Sequence, residues 1–277
     1  MINGSTAEND DTTHRILDQQ PVMKKNRNSN KEQLRTGIYS SGIIARLDTD
    51  HDVALFQTNI GHAGEFIDEV LANRALDRPP LLMSDALPSN KPTQQVGQIL
   101  TLCNAHARRQ FVDIISHFPN EVAHVLQRYA QIWINDNKTA DEAMFAPERL
   151  RYHRTHSLPV MQGILGWGNH LLEMDGVEEN CALGKAIGYF VKHYASLTAF
   201  YTYEGAQLDN NRIEQALKLV VRGRKNAMFY KTVTGAAVTD VIMSIFSPYT
   251  RNNHISSAFE AGVSARSILT GTDQSNK

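Results

Sequence analysis

Short apolar runs separated by polar turns fill the first hundred positions of the chain, and apolar residues at helical spacing follow them. Thr36–Leu47 is rich in β-branched and aromatic residues and predicts a strand. Asp52–Thr58 predicts a second strand, and the polar residues Asp48–His51 between them predict a turn. The two segments together predict a β-hairpin.

A helix is predicted over Ala63–Ala75, because its apolar residues lie on one face. The short apolar run Leu81–Ser84 predicts a buried strand that brings Asp85 to the edge of a sheet. Pro21–Gln33 is polar and basic, and predicts a mobile loop. The first part of the chain therefore has the pattern of an α/β protein.

From Asn104 onward the apolar residues recur at the helical period. The pattern predicts a mainly helical segment, followed by a helix that begins near Asn211 and returns to the α/β core. The helices expected within the segment include Thr139–Arg154, Leu158–Leu172 and Ala182–Phe200.

Composition limits the class of protein. The 277 residues carry a net charge of about −1, so binding to a polyanion would have to come from local basic patches. Two cysteines form no disulfide framework, and the sequence contains no long apolar stretch and no signal-peptide pattern at its start. These features predict a cytoplasmic protein with no membrane partner.

Three acidic residues are candidates for metal-dependent phosphoryl transfer: Asp10, Asp85 and Glu214. Hard divalent cations prefer carboxylate oxygens, and two-metal sites need several of them to converge. Each residue also has a purely structural interpretation. Asp85 fits a turn after a strand, Glu214 fits a capping box with Asn211 at the helix N-cap, and Asp10 with Asp11 fits a disordered acidic terminus.

A basic strip follows Glu214 along the predicted helix. Lys218 and Arg222 lie about one and two helical turns further on, at a spacing that places them on a similar face. Cations of this kind neutralise phosphates and make binding dependent on salt. A solvated helix face is the alternative interpretation.

Cys103 and His106 are residue types that bind Zn²⁺, but a single pair does not make a site, and packing or a hydrogen bond is the favoured interpretation. The sequence contains no phosphate-binding loop at Gly184–Lys185, no nucleophile elbow and no dinucleotide fingerprint. The chemistry therefore rests on the carboxylates and the basic strip.

In their order and amino-acid sequence, these motifs resemble the catalytic part of bacterial transposases of the insertion-sequence-66 family. The similarity covers roughly residues 9–246, and its last block is long and specific. The matching segments are Asn9–Leu17, Arg35–Tyr39, His62–Glu65, Ser84–Ala86, Cys103–Arg109, Leu183–Tyr189 and Leu208–Phe229.

The resemblance implies an RNase H-like fold with a DDE triad of Asp10, Asp85 and Glu214. The triad would hold two Mg²⁺ or Mn²⁺ ions for DNA cleavage at transposon ends and for strand transfer. Motif position alone favours Asp10 over Asp11 as the first ligand. Double-stranded DNA is the implied partner, and a second copy of the chain and other proteins of the same element are further candidates. The residues expected to contact DNA are Arg108, Arg109, Asn211, Arg212, Lys218, Arg222, Arg224 and Lys225.

The resemblance also suggests a division of the chain. Residues 1–103 would form the first part of the catalytic core, 104–207 a helical insertion, 208–246 the returning helix with its basic segment, and 247–277 a divergent tail. Family members are longer at the N-terminus, and Ser5–Asn9 is expected to be too polar for a core strand. These departures indicate a truncated transposase, and leave open an inactive remnant that binds DNA only non-specifically.

Overall fold

The structure is a computed structural model that describes residues 6–25, 31–46, 52–72, 79–93, 97–174 and 176–246. The predicted turn at 48–51, the last residues of the predicted helix Ala63–Ala75, and the tail from 247 lie outside these ranges. Two compact units make up the chain. Residues up to Ile99 and from Asn211 onward form the sheet unit, and Leu100–Asn210 form the helical unit.

The sheet unit contains a five-stranded mixed sheet in the order β5-β4-β1-β6-β7. β1 runs antiparallel to β4 and parallel to β6, and β4 runs antiparallel to β5. The predicted hairpin over Thr36–Thr58 and the predicted strand before Asp85 are both confirmed. The strands are β1 (Thr6–His14), β2 (Val22–Lys25), β3 (Glu32–Arg35), β4 (Ile38–Arg46), β5 (Asp52–Asn59), β6 (Leu81–Ser84) and β7 (Ile99–Leu102), the last of which spans the boundary between the units.

The central strand β1 corrects the expectation that Ser5–Asn9 is too polar for the core. Glu8 and Asn9 are buried, with 3% and 1% of their surfaces exposed. Asn9 donates from Nδ2 to the backbone oxygen of Asn90 at 2.7 Å, and Glu8 accepts a hydrogen bond from the backbone of Ile213. Buried polar groups are tolerated when they have such partners, so polarity alone did not exclude a core strand.

A second correction concerns the two ends of Pro21–Gln33, a segment whose composition predicts a mobile loop; residues 26–30 lie outside the described ranges. β2 and β3 pair there as an antiparallel ribbon, with Val22 opposite Arg35. Lys24 and Arg35 of the ribbon both form ion pairs with Glu65, which lies on the first helix. These long-range contacts order a segment whose local composition predicts no strand.

Three helices complete the described part of the sheet unit: α1 (Ala63–Leu71), α7 (Asn211–Ala227) and α8 (Val233–Phe246). α7 packs a buried face, which includes Ile213 and Leu217, against Ile44 and Phe56 of the sheet. Gly42 allows this approach, because a Cβ atom there would lie 2.7 Å from the Ile213 side chain. The glycine therefore sets the position of the helix that carries Glu214.

α8, which the sequence pattern did not predict, lies along the edge strand β5. The Ser244 hydroxyl accepts a hydrogen bond from the backbone N–H of Phe56 at 3.0 Å. Asp240 accepts hydrogen bonds from the backbone N–H and the hydroxyl of Thr58, at 2.6 and 2.7 Å. Side chains of the helix thus occupy backbone donors on the outer edge of the sheet.

The helical unit packs five α-helices around buried side chains that include Tyr129, Ile164 and Phe190. The predicted helix Thr139–Arg154 is wrong, because it divides between α3 and α4. Ala143 has a φ of 49°, a left-handed conformation that ends a helix, and Pro147 lies in the first turn of α4. The helices are α2 (Asn104–Val112), α3 (Pro119–Asp141), α4 (Ala146–His156), α5 (Leu158–Glu173) and α6 (Ala182–Leu197).

Two of the segments that carry the resemblance have structural roles in the helical unit. Asn104 is fully buried and donates from Nδ2 to the backbone oxygens of Leu197 and Leu208, at 2.9 and 3.1 Å. At Gly184 a Cβ atom would lie 2.1 Å from the backbone oxygen of Glu178. Within the described residues, no helix has both the length and the apolar character needed to cross a membrane.

Candidate active site

Asp10 and Asp85 are brought to one end of the sheet by two neighbouring parallel strands. Asp10 lies in β1, and Asp85 directly follows β6. Glu8 is the register partner of Met83. Asp10 lies two residues after Glu8, and Asp85 lies two residues after Met83. The parallel pairing therefore brings both carboxylates to the same edge of the sheet.

Asn90 connects these two carboxylates. Its Nδ2 atom donates to Oδ1 of Asp10 at 3.2 Å and to Oδ1 of Asp85 at 3.1 Å. The side chain is buried, and it is held in a short 3₁₀ turn, Pro88–Asn90. Asn90 is not among the predicted site residues, because its only signal in the sequence is a position five residues after Asp85, close to Pro88.

The carboxyl group of Asp10 is strongly perturbed. Burial raises its pKa from 3.8 to about 7, and the negative charges of Asp85, Asp11 and Glu214 contribute, against the opposing effect of a hydrogen bond from the Asp11 backbone. Glu214 therefore interacts electrostatically with Asp10, although the two residues are far apart in the sequence. All three acids of the predicted triad belong to the sheet unit.

Glu214 lies in the first turn of α7. The start of this helix is held by a hydrogen bond and an ion pair to Glu8 of the central strand β1. The Glu8 carboxylate accepts a hydrogen bond from the Ile213 backbone at 3.4 Å and lies 3.6 Å from the Arg212 guanidinium. Arg212 also forms an ion pair with Asp52. The Glu8 carboxylate thus accepts from a backbone N–H at the N-terminus of α7, where a negative charge interacts favourably with the helix dipole.

Asp11 has different partners from Asp10, because neighbouring strand residues point to opposite faces of a sheet. Its Oδ2 atom lies 2.9 Å from Nδ1 of His62 and accepts a hydrogen bond from the Ala63 backbone at 3.1 Å. Asp11 therefore anchors the start of α1. The interpretation of Asp10 and Asp11 as a disordered terminus is wrong, since both lie within β1.

The donor set fits a hard divalent cation. Carboxylate oxygens are the ligands that Mg²⁺ and Mn²⁺ prefer in proteins. The raised pKa of Asp10 shows that ionising it beside its acidic neighbours is unfavourable in a buried setting. A cation would offset that repulsion, and the Asn90 amide already places a hydrogen-bond donor between two of the carboxylates.

The predicted basic residues have different surroundings. Lys218, Arg222 and Lys225 are exposed along α7, at spacings of four and three residues that place them on one helix face. Arg212 is engaged by Glu8 and Asp52, and Arg224 donates to the hydroxyls of Thr12 and Thr13, at 3.3 and 3.0 Å.

The remaining predicted residues are also placed. Asn211 is exposed and is the first residue of α7, not a residue that precedes the helix. Arg108 and Arg109 are exposed on α2 of the helical unit. Cys103 is buried at the start of that helix, and burial raises the pKa of its thiol to about 12.

The fold defines a mixed α/β protein in which Asn90 links two acids, Asp10 and Asp85, at neighbouring parallel strand ends. The chain matches the family described as "Transposase IS66 family" over residues 2–238. The chain therefore belongs to the IS66 family of transposases.

Curated relatives carry no functional description. An uncharacterized protein of Sinorhizobium fredii, y4jD, is 29% identical over 150 residues, which cover 53% of this chain and 28% of the relative. A second, y4hP of the same organism, is 24% identical over 204 residues, or 67% of this chain and 36% of the relative. The chain thus spans about a third of the length of these relatives, and no solved structure matches it.

Proposed function

We propose that the sheet unit is the catalytic part of a DDE transposase, with Asp10, Asp85 and Glu214 as the metal-binding carboxylates. The observation that carries the proposal is the clustering of acids around Asp10, whose pKa is raised by burial and by both other members of the triad. Carboxyl groups whose pKa is raised by burial and by neighbouring acids are typical of functional sites. Membership of the transposase family supports the same role.

The three carboxylates would bind two divalent ions, Mg²⁺ or Mn²⁺. When bound, such ions lower the pKa of an attacking water or hydroxyl and stabilise the negative charge of the leaving oxygen. Asn90 would keep Asp10 and Asp85 at a fixed separation, and Glu8 would hold the helix that carries Glu214. Phosphoryl transfer depends largely on positioning and charge neutralisation, which these contacts provide.

The exposed cations of α7 would bind the DNA. Lys218, Arg222 and Lys225 follow Glu214 along the same helix, so they would neutralise backbone phosphates next to the carboxylates. Arg108 and Arg109 of the helical unit are separate candidates for phosphate contacts. Double-stranded DNA, both transposon end and target, is the proposed partner.

The test combines metal binding with cleavage. Isothermal calorimetry with Mn²⁺ should show saturable binding to the wild-type chain, and binding should be lost in Asp85→Ala and in Glu214→Ala. Metal-dependent nicking of supercoiled DNA should disappear in the same variants. Exposed Glu173→Gln is the matched control and should retain both properties.

A folded wild-type chain that binds no metal would overturn the proposal. Salt-sensitive DNA binding without metal binding would instead support the alternative, an inactive chain that binds DNA non-specifically. The exposed basic face of α7 is the observation that would account for it.

A further inference from the structure

A cavity of about 750 Å³ lies in the sheet unit next to the turn that carries Asn90, and no part of the proposed chemistry uses it. Its walls come from β3, the start of β4, the start of α1 and the turn after Asp85. The lining residues used below are Arg35, Tyr39, His62, Glu65, Ser89 and Lys91.

One of its walls adjoins a residue that holds Asp10 and Asp85. His62 lines the cavity and bonds to Asp11, whose side chain points to the face of the sheet opposite that of Asp10. Ser89 also lines the cavity and precedes Asn90, which bonds to both Asp10 and Asp85. Whatever occupies the cavity therefore lies next to a group held by those carboxylates.

An aromatic pair lines the cavity. The rings of Tyr39 and His62 lie 3.7 Å apart between centroids. A Cβ atom at Gly37 would lie 2.8 Å from the Tyr39 hydroxyl, so the glycine leaves room for this ring. Every nucleic-acid base has a π-face that stacks on such side chains without a need for a particular sequence.

Among the charged lining residues of the cavity, the cations Arg35 and Lys91 outnumber Glu65 by one. Glu65 is its acidic residue, and it is paired with both Lys24 and Arg35. Burial opposes ionisation of Glu65, but these two cations outweigh it and hold its pKa below the usual value. Lys91 adds a further positive charge to the lining. The surplus of cations suits a phosphate group.

We propose that this cavity binds one unpaired nucleotide of the DNA strand cleaved at the neighbouring carboxylates, a step that rests on the proposed transposase function. Its volume is within the roughly 300–1,000 Å³ typical of pockets for single small ligands. It suits a nucleotide taken out of the duplex. The base stacks against the Tyr39–His62 pair, and Lys91 faces the phosphate.

The experiment uses a DNA duplex with a one-nucleotide unpaired extension in which the base is 2-aminopurine, a fluorescent base that stacking quenches. The full-length chain is titrated against it in EDTA. Wild-type protein should lower the fluorescence of the unpaired 2-aminopurine. It should not change the fluorescence of the same base when that base is paired inside a duplex. Tyr39→Leu and Lys91→Ala should each weaken the quenching titration roughly tenfold.

Matched controls separate the two proposals. Tyr203→Leu and Lys185→Ala change an exposed tyrosine and an exposed lysine of the helical unit, and should behave as wild type. Mn²⁺ affinity, measured by calorimetry, should be unchanged in Tyr39→Leu and Lys91→Ala, which also shows that the variants fold. A wild-type protein that does not bind Mn²⁺ would count against the proposed function, whatever the quenching titration shows.

Equal quenching of paired and unpaired 2-aminopurine by the wild type would overturn the cavity proposal. So would titrations of Tyr39→Leu and Lys91→Ala that match the wild type while the protein still binds Mn²⁺.

Discussion

The imidazole Nδ1 of His62 lies 2.9 Å from Oδ2 of Asp11. This contact gives Asp11 a structural partner just before α1, whereas Asn90 bonds to both Asp10 and Asp85. Two adjacent acids in one strand thus have separable tasks, and substitution of each should have a different effect.

Asp10→Asn should abolish binding of Mn²⁺ to the folded chain, because it removes a carboxylate from the cluster. Asp11→Asn should retain metal binding but lower the free energy of unfolding by about 1–3 kcal/mol, since it weakens the bonds to His62 and to the Ala63 backbone. Calorimetry and urea unfolding measure the two quantities. The assignment fails if Asp11→Asn loses the metal and Asp10→Asn keeps it.

The stability of the metal-free chain should depend on pH through Asp10. Its carboxyl has a pKa of about 7 when folded, against an ordinary value of 3.8, so the folded state retains the proton between these pH values. The free energy of unfolding should therefore fall as pH rises from about 4 to 7, by at most a few kcal/mol from this group. Thermal unfolding in EDTA measures this fall.

Asp10→Asn should remove that part of the pH dependence and should be more stable than the wild type at pH 8 in EDTA. Asp141→Asn, an exposed change on α3, is the control and should follow the wild-type profile. Identical pH profiles for Asp10→Asn and the wild type would show that Asp10 does not titrate in this range.

Removal of the charge of Glu8 should weaken metal binding without removing a ligand. Glu8 is 3% exposed and holds the start of α7 through Ile213 and Arg212. Glu8→Gln should leave the Arg212 guanidinium without one of its acidic partners and lower stability by a few kcal/mol. Because Glu214 follows directly on that helix, Mn²⁺ affinity should fall as well. Glu173→Gln is the control, and an unchanged metal affinity in a destabilised Glu8→Gln would contradict the link.

The basic face of α7 should determine how DNA binding responds to salt. Lys218→Gln, Arg222→Gln and Lys225→Gln should each weaken binding and reduce the slope of log K against log salt by about 0.9 if one phosphate contact is lost. Fluorescence anisotropy at several salt concentrations gives both values. Lys192→Gln, exposed on α6, is the comparison, and an equal loss there would argue against a specific role for α7.

The sequence predicted those elements whose local pattern agrees with their final environment. The β4–β5 hairpin has β-branched and aromatic segments on either side of a polar stretch, and α5 and α6 have apolar residues at the helical period. β1 was misjudged because its buried polar residues obtain partners from Asn90 and Ile213, which are distant in the sequence. The β2–β3 ribbon was missed for the same reason, since Glu65 orders it from another element.

The candidate site was predictable in part. The acids and the basic strip could be named from residue type, order and resemblance, and their roles remain predictions. Asn90 could not be found, because an amide in a turn has no recognisable spacing and its importance comes only from the two carboxylates it contacts. Nor could the sequence show that Arg212 is engaged by Glu8 and Asp52.

The contact of α8 with β5 has a consequence for how the chain behaves among other copies of itself. An open strand edge offers its free N–H groups to any similar strand, which leads to aggregation or exchange of segments between molecules. Ser244 and Asp240 already occupy the Phe56 and Thr58 donors. The helix thus leaves fewer free donors at the β5 edge of the sheet unit, and so disfavours the addition of a strand from another molecule there.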